Sequence, residues 1–258
     1  TSGAVGNYYM PEIMGAGLCF FDYDRDGHQD FYLVNGHALP RPGPSPPTDA
    51  LYHNQGNGVF ADQTATALIR DQGYGMGCAA ADYDSDGDQD IYVTHFGADA
   101  LYRNDRGAFA EVAGQAGVSD SLWSSSAGFL DYDRDGDLDI YVANYLDFSF
   151  ERNQLCGKGA LRDYCDPVKY RGVPDALYRN DGNHFSDVTR PAGVFDPEGK
   201  GLGVTTSDYD RDGDVDIYVA NDGTANRLYR NEGQGVFSEV GVASGTAYDP
   251  KGLAEAGM

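Results

Sequence analysis

The sequence of 258 residues contains no apolar run of the roughly 18 to 20 residues that a transmembrane helix needs. Its first residues, which begin Thr1-Ser2-Gly3, lack the charged start and apolar stretch of a secretory signal peptide. We therefore expect a chain that is not inserted in a membrane and that is either a mature form or a fragment.

Basic residues are scarce in this chain. It has 18 Lys and Arg residues against 41 Asp and Glu residues, which gives a formal net charge of −23 at pH 7. Nucleic acids and anionic membrane surfaces would repel such a chain, so neither is an expected partner. The 41% of apolar residues is still enough for a globular core, which excludes a disordered acidic tail.

Only four cysteines are present. Cys156 and Cys165 stand close together in a stretch without a strand pattern, and we predict that they form a disulfide in an oxidising compartment. A zinc site there is disfavoured because no second Cys/His pair stands near it in the sequence. Cys19 and Cys78 precede two acidic loops in apolar segments, and we predict that they are buried free thiols.

Signatures of several enzyme classes are missing as well. The chain has no phosphate-binding loop and no Gly-x-Ser-x-Gly nucleophile elbow. The glycine pairs Gly75/Gly77 and Gly201/Gly203 recur before acidic loops. We interpret them as close packing of inner strands and not as a dinucleotide fingerprint.

What the chain does have is a nine-residue motif, Asp-x-Asp-x-Asp-Gly-x-x-Asp, that occurs at residues 22–30, 82–90, 131–139 and 208–216. Alternating oxygen ligands with Gly at the sixth position can surround one hard cation, so we predict about four Ca²⁺ ions. An EF-hand is excluded, because its Glu at position twelve is replaced by Leu or Val and a β-like stretch follows each loop. The predicted ligands are the carboxylates at positions one, three, five and nine and the main-chain carbonyl at position seven: Asp22, Asp24, Asp26, His28 and Asp30; Asp82, Asp84, Asp86, Asp88 and Asp90; Asp131, Asp133, Asp135, Asp137 and Asp139; Asp208, Asp210, Asp212, Asp214 and Asp216.

The calcium requirement also indicates a compartment. Calcium outside cells is abundant enough to fill weak acidic loops, whereas cytosolic levels would leave many of them empty. We therefore expect an extracellular, cell-surface or periplasmic location.

Each acidic loop lies within a longer repeat. A second constant block, Leu-Tyr-Arg-Asn or Leu-Tyr-His-Asn, occurs at residues 51–54, 101–104, 177–180 and 228–231, and a Gly/Asn/Asp turn and a Phe follow it. First-Asp spacings of 60, 49 and 77 residues, with four short strands per repeat, predict an all-β β-propeller. The approximate blades within this single region, residues 1–258, are 13–70, 74–119, 124–194 and 200–246. Residues 247–258 repeat the start of a blade, so we expect a further repeat and a larger ring.

The Asp-Tyr-Asp-x-Asp-Gly-Asp-x-Asp-Ile-Tyr-Val motif with its Leu-Tyr-Arg-Asn block resembles the FG-GAP/VCBS repeat family, which is also seen in integrin α-subunit propellers. More narrowly, residues 8–15 and 165–180 resemble bacterial proteins similar to cartilage acidic protein, which often carry a C-terminal ASPIC/UnbV module. That module is absent from this sequence. The resemblance implies a secreted or surface calcium-binding propeller used for adhesion or ligand binding, with a protein or glycan partner.

A calcium-dependent carbohydrate-active enzyme, such as a polysaccharide lyase or hydrolase, is the alternative. No catalytic residue is assigned, because nearly all patterned carboxylates are already used as predicted metal ligands. If the chain is an enzyme, His37 and His95 are the first candidates, with Tyr as a possible partner base, because each follows the second strand of its blade.

Two insertions interrupt the repeat. Residues 37–48 form a proline-rich excursion, and residues 145–174 surround the predicted disulfide with aromatic and basic side chains. Because these segments are unique in the chain, we expect partner specificity to lie there. We also expect that residues 145–174 can be replaced by a short turn without loss of the fold; a loop that merely covers a blade edge is the alternative.

Overall fold

The computed structural model describes residues 3–4, 6–40, 43, 47–159 and 161–254. Within them, eighteen strands form four four-stranded antiparallel sheets and one two-stranded hairpin. Each strand of a four-stranded sheet pairs with the next strand of that sheet in the chain, so every sheet is a meander. The predicted all-β blades are confirmed.

The four sheets correspond to the four predicted repeats. Blade one contains β1 (Leu18–Phe21), β2 (Asp30–Leu33), β3 (Ala50–Asn54) and β4 (Phe60–Asp62); blade two contains β5 (Gly75–Ala81), β6 (Asp90–His95), β7 (Ala100–Asp105) and β8 (Ala108–Glu111). Blade three contains β9 (Ser124–Leu130), β10 (Asp139–Asn144), β13 (Ala176–Asn180) and β14 (Phe185–Asp187), and its insertion carries the hairpin β11 (Cys156–Lys158) and β12 (Leu161–Asp163). Blade four contains β15 (Gly201–Ser207), β16 (Asp216–Asn221), β17 (Arg227–Asn231) and β18 (Phe237–Glu239). The helices are short: α1 (Ala113–Ala116), α2 (Gly241–Ser244) and 3-10 turns at Met10–Ile13, Phe150–Arg152 and Pro167–Lys169.

Consecutive blades pack face to face, and the alternation of side chains along each strand fills two cores at once. Ile91 and Val93 of β6 lie in the core between blades one and two, whereas Tyr92 between them lies in the core between blades two and three. β10 repeats this arrangement, with Ile140 facing blade two and Tyr141 facing blade four. A strand buried on both faces has no polar face, which explains the unbroken apolar Ile-Tyr-Val triplets.

The first strands of successive blades, β1, β5, β9 and β15, approach one another closely. The N–H of Gly17 donates to the Met76 carbonyl oxygen at 2.7 Å, and a Cβ on Gly17 would lie 3.1 Å from the Cα of Gly77. A Cβ on Gly77 would in turn lie 2.9 Å from the Ser125 carbonyl oxygen. Close packing therefore explains the glycine at position 77, as predicted, whereas a Cβ on Gly203 would have no atom within 4 Å.

Both pairs of cysteines are bridged. The predicted disulfide Cys156–Cys165 is present, with a Cα–Cα distance of 5.1 Å. The prediction of free thiols at Cys19 and Cys78 is wrong, because they form a second disulfide with a Cα–Cα distance of 5.9 Å. Cys19 lies on β1 and Cys78 on β5, so the packing of adjacent inner strands brings together two residues that are 59 positions apart.

A fourth apolar cluster, which we call the cap cluster, lies at the ends of the blades opposite the acidic loops. Trp123, at the start of blade three, packs edge to face against Phe96 of blade two and against Tyr145 of the insertion. The other buried members come from the N-terminal segment, from blades one and two, and from the insertion: Met10, Leu39, Tyr74, Met76, Leu146, Phe148, Cys165 and Tyr170. The insertion at residues 145–174 thus contributes to the core. Much of the proline-rich excursion, residues 41–42 and 44–46, lies outside the described residues.

The outer faces of the first and fourth blades lack a neighbouring blade. Phe20 is 61% exposed on blade one, whereas Ala80, its counterpart in blade two, packs into the core between blades. Tyr209 of blade four is 44% exposed, and its counterpart Tyr83 is 3% exposed. The expected larger ring stays a prediction, and the end of the expected further repeat, residues 255–258, lies outside the described part of the chain.

Candidate functional site

Each acidic loop joins the first strand of a blade to its second strand, so all four loops lie at the same end of the blades. In the first loop the Asp22 carboxylate accepts hydrogen bonds from the N–H groups of Asp26 (3.1 Å) and Gly27 (2.9 Å), and it therefore draws the loop into a ring. The backbone is left-handed at Gly27 (φ 88°) and also at Arg25 (φ 62°). The same two positions are left-handed in the other three loops. The motif predicted the bend at the glycine but not the one at position four.

The ninth residue of each loop, the first of the second strand, is buried and anchors the loop to the blade. The Asp90 carboxylate accepts the N–H of Tyr83 at 3.0 Å and the N–H of Asn104 at 2.8 Å. Asp30, Asp139 and Asp216 make the same pair of bonds. Burial raises the pKa of Asp90 to about 7 and that of Asp139 to about 7. A dication would favour the ionised carboxylates that crowding and burial disfavour.

Carboxylate oxygens converge in every loop, although not always from all four predicted positions. Groups with ligand atoms within 4.8 Å of one another combine Asp22, Asp24 and Asp26; Asp82, Asp84 and Asp86; Asp131, Asp133 and Asp139; and Asp208, Asp210 and Asp216. In the third loop, Oδ1 of Asp131 is buried without a hydrogen-bond partner, as a metal-facing oxygen would be. This all-oxygen donor set fits a hard cation such as Ca²⁺.

Side chains at position seven connect the loops of blades two and four to neighbouring loops, whereas His28 of blade one contacts Asp26 of its own loop. The Asp214 carboxylate lies 2.8 Å from Nε of Arg134, which is position four of the preceding blade's loop. Asp88 faces Arg25 in the same way at 3.5 Å and also accepts the N–H of Arg106 at 3.0 Å. The sequence assigned these positions only a main-chain role, so the links between neighbouring loops were missed.

The Asn that ends each Leu-Tyr-Arg-Asn block is the second residue type whose role was missed. Nδ2 of Asn104 donates to the Tyr23 carbonyl of the preceding blade's loop at 2.8 Å and to the Gln89 carbonyl of its own loop at 3.0 Å. Its Oδ1 accepts the N–H of Gly107 at 2.8 Å. Asn180 and Asn231 repeat the bridge, so each links two acidic loops. The recurrence of the block was visible in the sequence, but a link to the neighbouring repeat has no local signal.

This bridge leads to a testable difference between two asparagines. Asn104→Ala leaves two carbonyl groups and one N–H group without partners in a fully buried position. Because each such group costs about 1–3 kcal/mol, we expect a loss of roughly 3 kcal/mol in the free energy of unfolding. Chemical denaturation with calcium present measures it.

Asn54→Ala is the matched control. Asn54 belongs to blade one, where Nδ2 reaches only the Gln29 carbonyl of its own loop, and its side chain is only half-buried. We expect a loss of about 1 kcal/mol for this variant. Equal losses for Asn54→Ala and Asn104→Ala would mean that the link between loops adds no stability.

His37 and His95, the two histidines considered for catalysis, are both buried, and they contact different residues. Nε2 of His95 lies 3.1 Å from the Asp71 carboxylate, which connects blade two to the end of blade one. Burial lowers the pKa of His95, but the hydrogen bond and charge of Asp71 outweigh this and raise it. His37 packs edge to face on Tyr74, with ring centroids 5.4 Å apart. Neither arrangement presents an imidazole to solvent.

Buried Asp–Tyr pairs lie at the blade ends opposite the acidic loops. The Asp99 carboxylate accepts the Tyr92 hydroxyl at 2.9 Å and the His95 N–H at 2.8 Å. Asp49 and Asp175 make the equivalent bonds in blades one and three. Burial raises the pKa of Asp99 to about 7. These carboxylates fix the turn between the second and third strands.

Comparisons by sequence and by structure relate this chain to known proteins. A sequence model described as FG-GAP-like repeat matches residues 22–93, 82–142 and 208–256. Over 57 residues the chain is 46% identical to cartilage acidic protein 1 of Mus musculus, which is 22% of this chain and 9% of that protein. A solved structure of an Agrocybe aegerita lectin, described as recognising non-reducing terminal N-acetylglucosamine, matches 91% of this chain and 56% of that one with a TM-score of 0.44 and 16% identity. The chain thus corresponds to a small part of the first relative and to just over half of the second.

Proposed function

Because this chain belongs to the FG-GAP-like repeat family, whose sequence model matches more than half of it, we propose that it is an extracellular calcium-binding propeller that serves as a binding module for a protein or glycan ligand. The observation that carries the calcium assignment is the repeated loop geometry. In each of the four loops, carboxylates converge on one point of that loop. All four loops lie at the same end of the blades. Calcium bound there would hold the turn between the first and second strands of each blade in one conformation.

The extracellular location is supported by the two disulfides, which persist in oxidising compartments. Among the described residues, no helix is long and apolar enough to cross a membrane. The weak calcium affinity expected of open acidic loops also requires a calcium-rich compartment.

The ligand surface that we propose is the exposed part of the blade-three insertion. Leu155, Leu161 and Val168 project from it with exposures of 68%, 78% and 71%. Residues 145–174 carry five basic and four acidic residues, in a chain whose net charge is −23. Exposed apolar side chains beside basic ones are suited to an acidic partner surface. Since the acidic loops are nearly identical, they are suited to fixing geometry and not to distinguishing partners.

A calcium titration tests the metal assignment. We expect isothermal calorimetry of the metal-free chain, with calcium as the sole metal, to give about four Ca²⁺ per chain. The double variant Asp82→Asn/Asp84→Asn should bind about one ion fewer, because it removes two anionic ligands from one loop. A chain that binds no calcium, or a variant with unchanged stoichiometry, would refute the assignment.

A further inference from the structure

We infer that the first acidic loop is a mixed nitrogen and oxygen site that takes a late first-row transition dication, such as Zn²⁺, in preference to calcium, with His53 as the nitrogen ligand. This inference rests on the proposed function, because it assumes that the acidic loops hold divalent cations. It concerns which cation one of the four loops selects.

The first loop differs from the others at one position of the neighbouring strand. Where blades two, three and four carry Arg103, Arg179 and Arg230 in the Leu-Tyr-Arg-Asn block, blade one carries His53. Arginine is always protonated and offers only donors, so it can neutralise an acidic loop but cannot ligate a metal. Arg179 and Arg230 instead bind the nearby carboxylates of Asp181 and Glu232. A neutral imidazole at the same place brings a lone pair into the loop.

The geometry places that imidazole among the carboxylates. Nδ1 of His53 lies 3.2 Å from Oδ1 of Asp30 and 3.4 Å from Oδ2 of Asp24. The three side chains form a group whose ligand atoms are all within 4.8 Å of one another. Ligand atoms about 2.0–2.1 Å from a tetrahedral zinc ion lie roughly 3.3 Å apart, so both measured separations are compatible with one ion, although the shorter one is also a hydrogen bond.

The surroundings of His53 favour a metal ligand over a freely solvated side chain. Its side chain is 19% exposed, and Asp30 is fully buried. Nε2 of His53 lies 3.9 Å from Oδ2 of Asp26, which is too far for a hydrogen bond, so Nδ1 is the ring nitrogen that contacts the carboxylates of the loop. Tyr23 packs edge to face against the ring at 6.0 Å and limits its rotation.

Donor chemistry decides which ion this loop selects. Calcium takes six to eight oxygen ligands, and an imidazole in the loop does not serve it. Zn²⁺ and its neighbours in the first row bind imidazole together with carboxylate. The other three loops have oxygen donors only and an arginine at the corresponding position. One chain therefore combines three loops that select calcium with a first loop that takes calcium only when no borderline metal ion competes.

The test uses the full chain with saturating calcium and adds Zn²⁺, or Co²⁺ as a spectroscopic probe. We expect wild type to take up one equivalent of Zn²⁺ and to release at most one Ca²⁺. His53→Arg, which gives the first loop the arrangement of the other three, should weaken Zn²⁺ binding at least tenfold and should remove the visible absorption of nitrogen-ligated Co²⁺. Arg103→His, which gives the second loop the arrangement of the first, should add a second equivalent.

Exposed His184 provides the control for adventitious binding, and His184→Gln should keep the zinc site. Equal Zn²⁺ affinity in wild type and His53→Arg, or a Co²⁺ spectrum that His53→Arg leaves unchanged, would overturn the inference while calcium binding by the other loops stands. If the wild-type chain binds no calcium but still binds one Zn²⁺ that His53→Arg abolishes, the proposed function is overturned and this site is supported.

Discussion

Removal of calcium is expected to lower the melting temperature by roughly 20 °C or more. At a free calcium concentration one hundred times the dissociation constant, each occupied loop stabilises the folded state by about 2.7 kcal/mol. Each kcal/mol shifts the melting temperature of a chain of this size by about 2–4 °C. Metal-free loops also leave carboxylates such as Asp84 and Asp86 in mutual repulsion: burial, followed by the charge of Asp86, raises the pKa of Asp84. Differential scanning calorimetry with EDTA and with excess calcium measures the shift.

Two controls separate ion binding from general charge screening. Raising the sodium chloride concentration in EDTA screens repulsion between exposed carboxylates and should restore only a small part of the loss. Adding calcium back in excess over EDTA should restore all of it. A transition that does not move on chelation would show that the loops are not stabilised by calcium.

The blades and the acidic loops were predictable because both are local in the sequence. The spacing of the loop carboxylates predicts a ligand-bearing turn, and the Ile-Tyr-Val triplet after it predicts a buried strand. Asp139 and Ile140, at the start of β10, show this arrangement. The glycines of the inner strands were also interpretable, since Gly77 recurs at the same place relative to its loop. The loop and strand patterns are local to one repeat, whereas the glycine contact is made at Gly17 and Gly77 but not at Gly203.

What could not be predicted depends on pairs of residues in different repeats. Nothing near Cys19 indicates that Cys78 will lie beside it, because their contact requires the packing of two inner strands. The link from Asn104 to the loop of the preceding blade likewise spans 81 residues. These contacts follow from how the blades stack, and a repeat pattern gives the blades but not the residues that meet between them.

The role of the blade-three insertion was also not predictable from the sequence, because it depends on contacts with other parts of the chain. Its aromatic residues indicated a contact surface, but Tyr145, Phe148 and Tyr170 are buried in the cap cluster. The hydroxyl of Tyr145 bonds Asp222 of blade four at 2.5 Å, and Nζ of Lys200 donates to the Pro167 carbonyl at 2.9 Å. The insertion therefore packs against the ends of several blades, and these contacts lead us to expect that its removal costs stability.

Replacement of residues 145–174 by a short turn like that of blade two should destabilise the whole propeller. The change uncovers Met10, Tyr74 and Trp123, which the insertion now covers. Loss of burial costs about 1.5–3 kcal/mol for each large apolar side chain, so we expect the three to cost roughly 4.5–9 kcal/mol and to lower the melting temperature by at least about 10 °C. Calorimetry in saturating calcium measures this separately from metal loss.

The matched variant changes the exposed side of the same insertion and leaves its buried side intact. Leu155→Ser/Leu161→Ser/Val168→Ser alters three side chains that are mostly in solvent, and substitutions of this kind usually change stability by no more than about 0.5 kcal/mol each. We expect its melting temperature and calcium stoichiometry to equal those of wild type within a few degrees and within error, respectively. If the short-turn variant is as stable as this one, the cap cluster does not hold the blades together. If the triple variant has a melting temperature as low as that of the short-turn variant, its three side chains are part of the core and not of an exposed ligand surface.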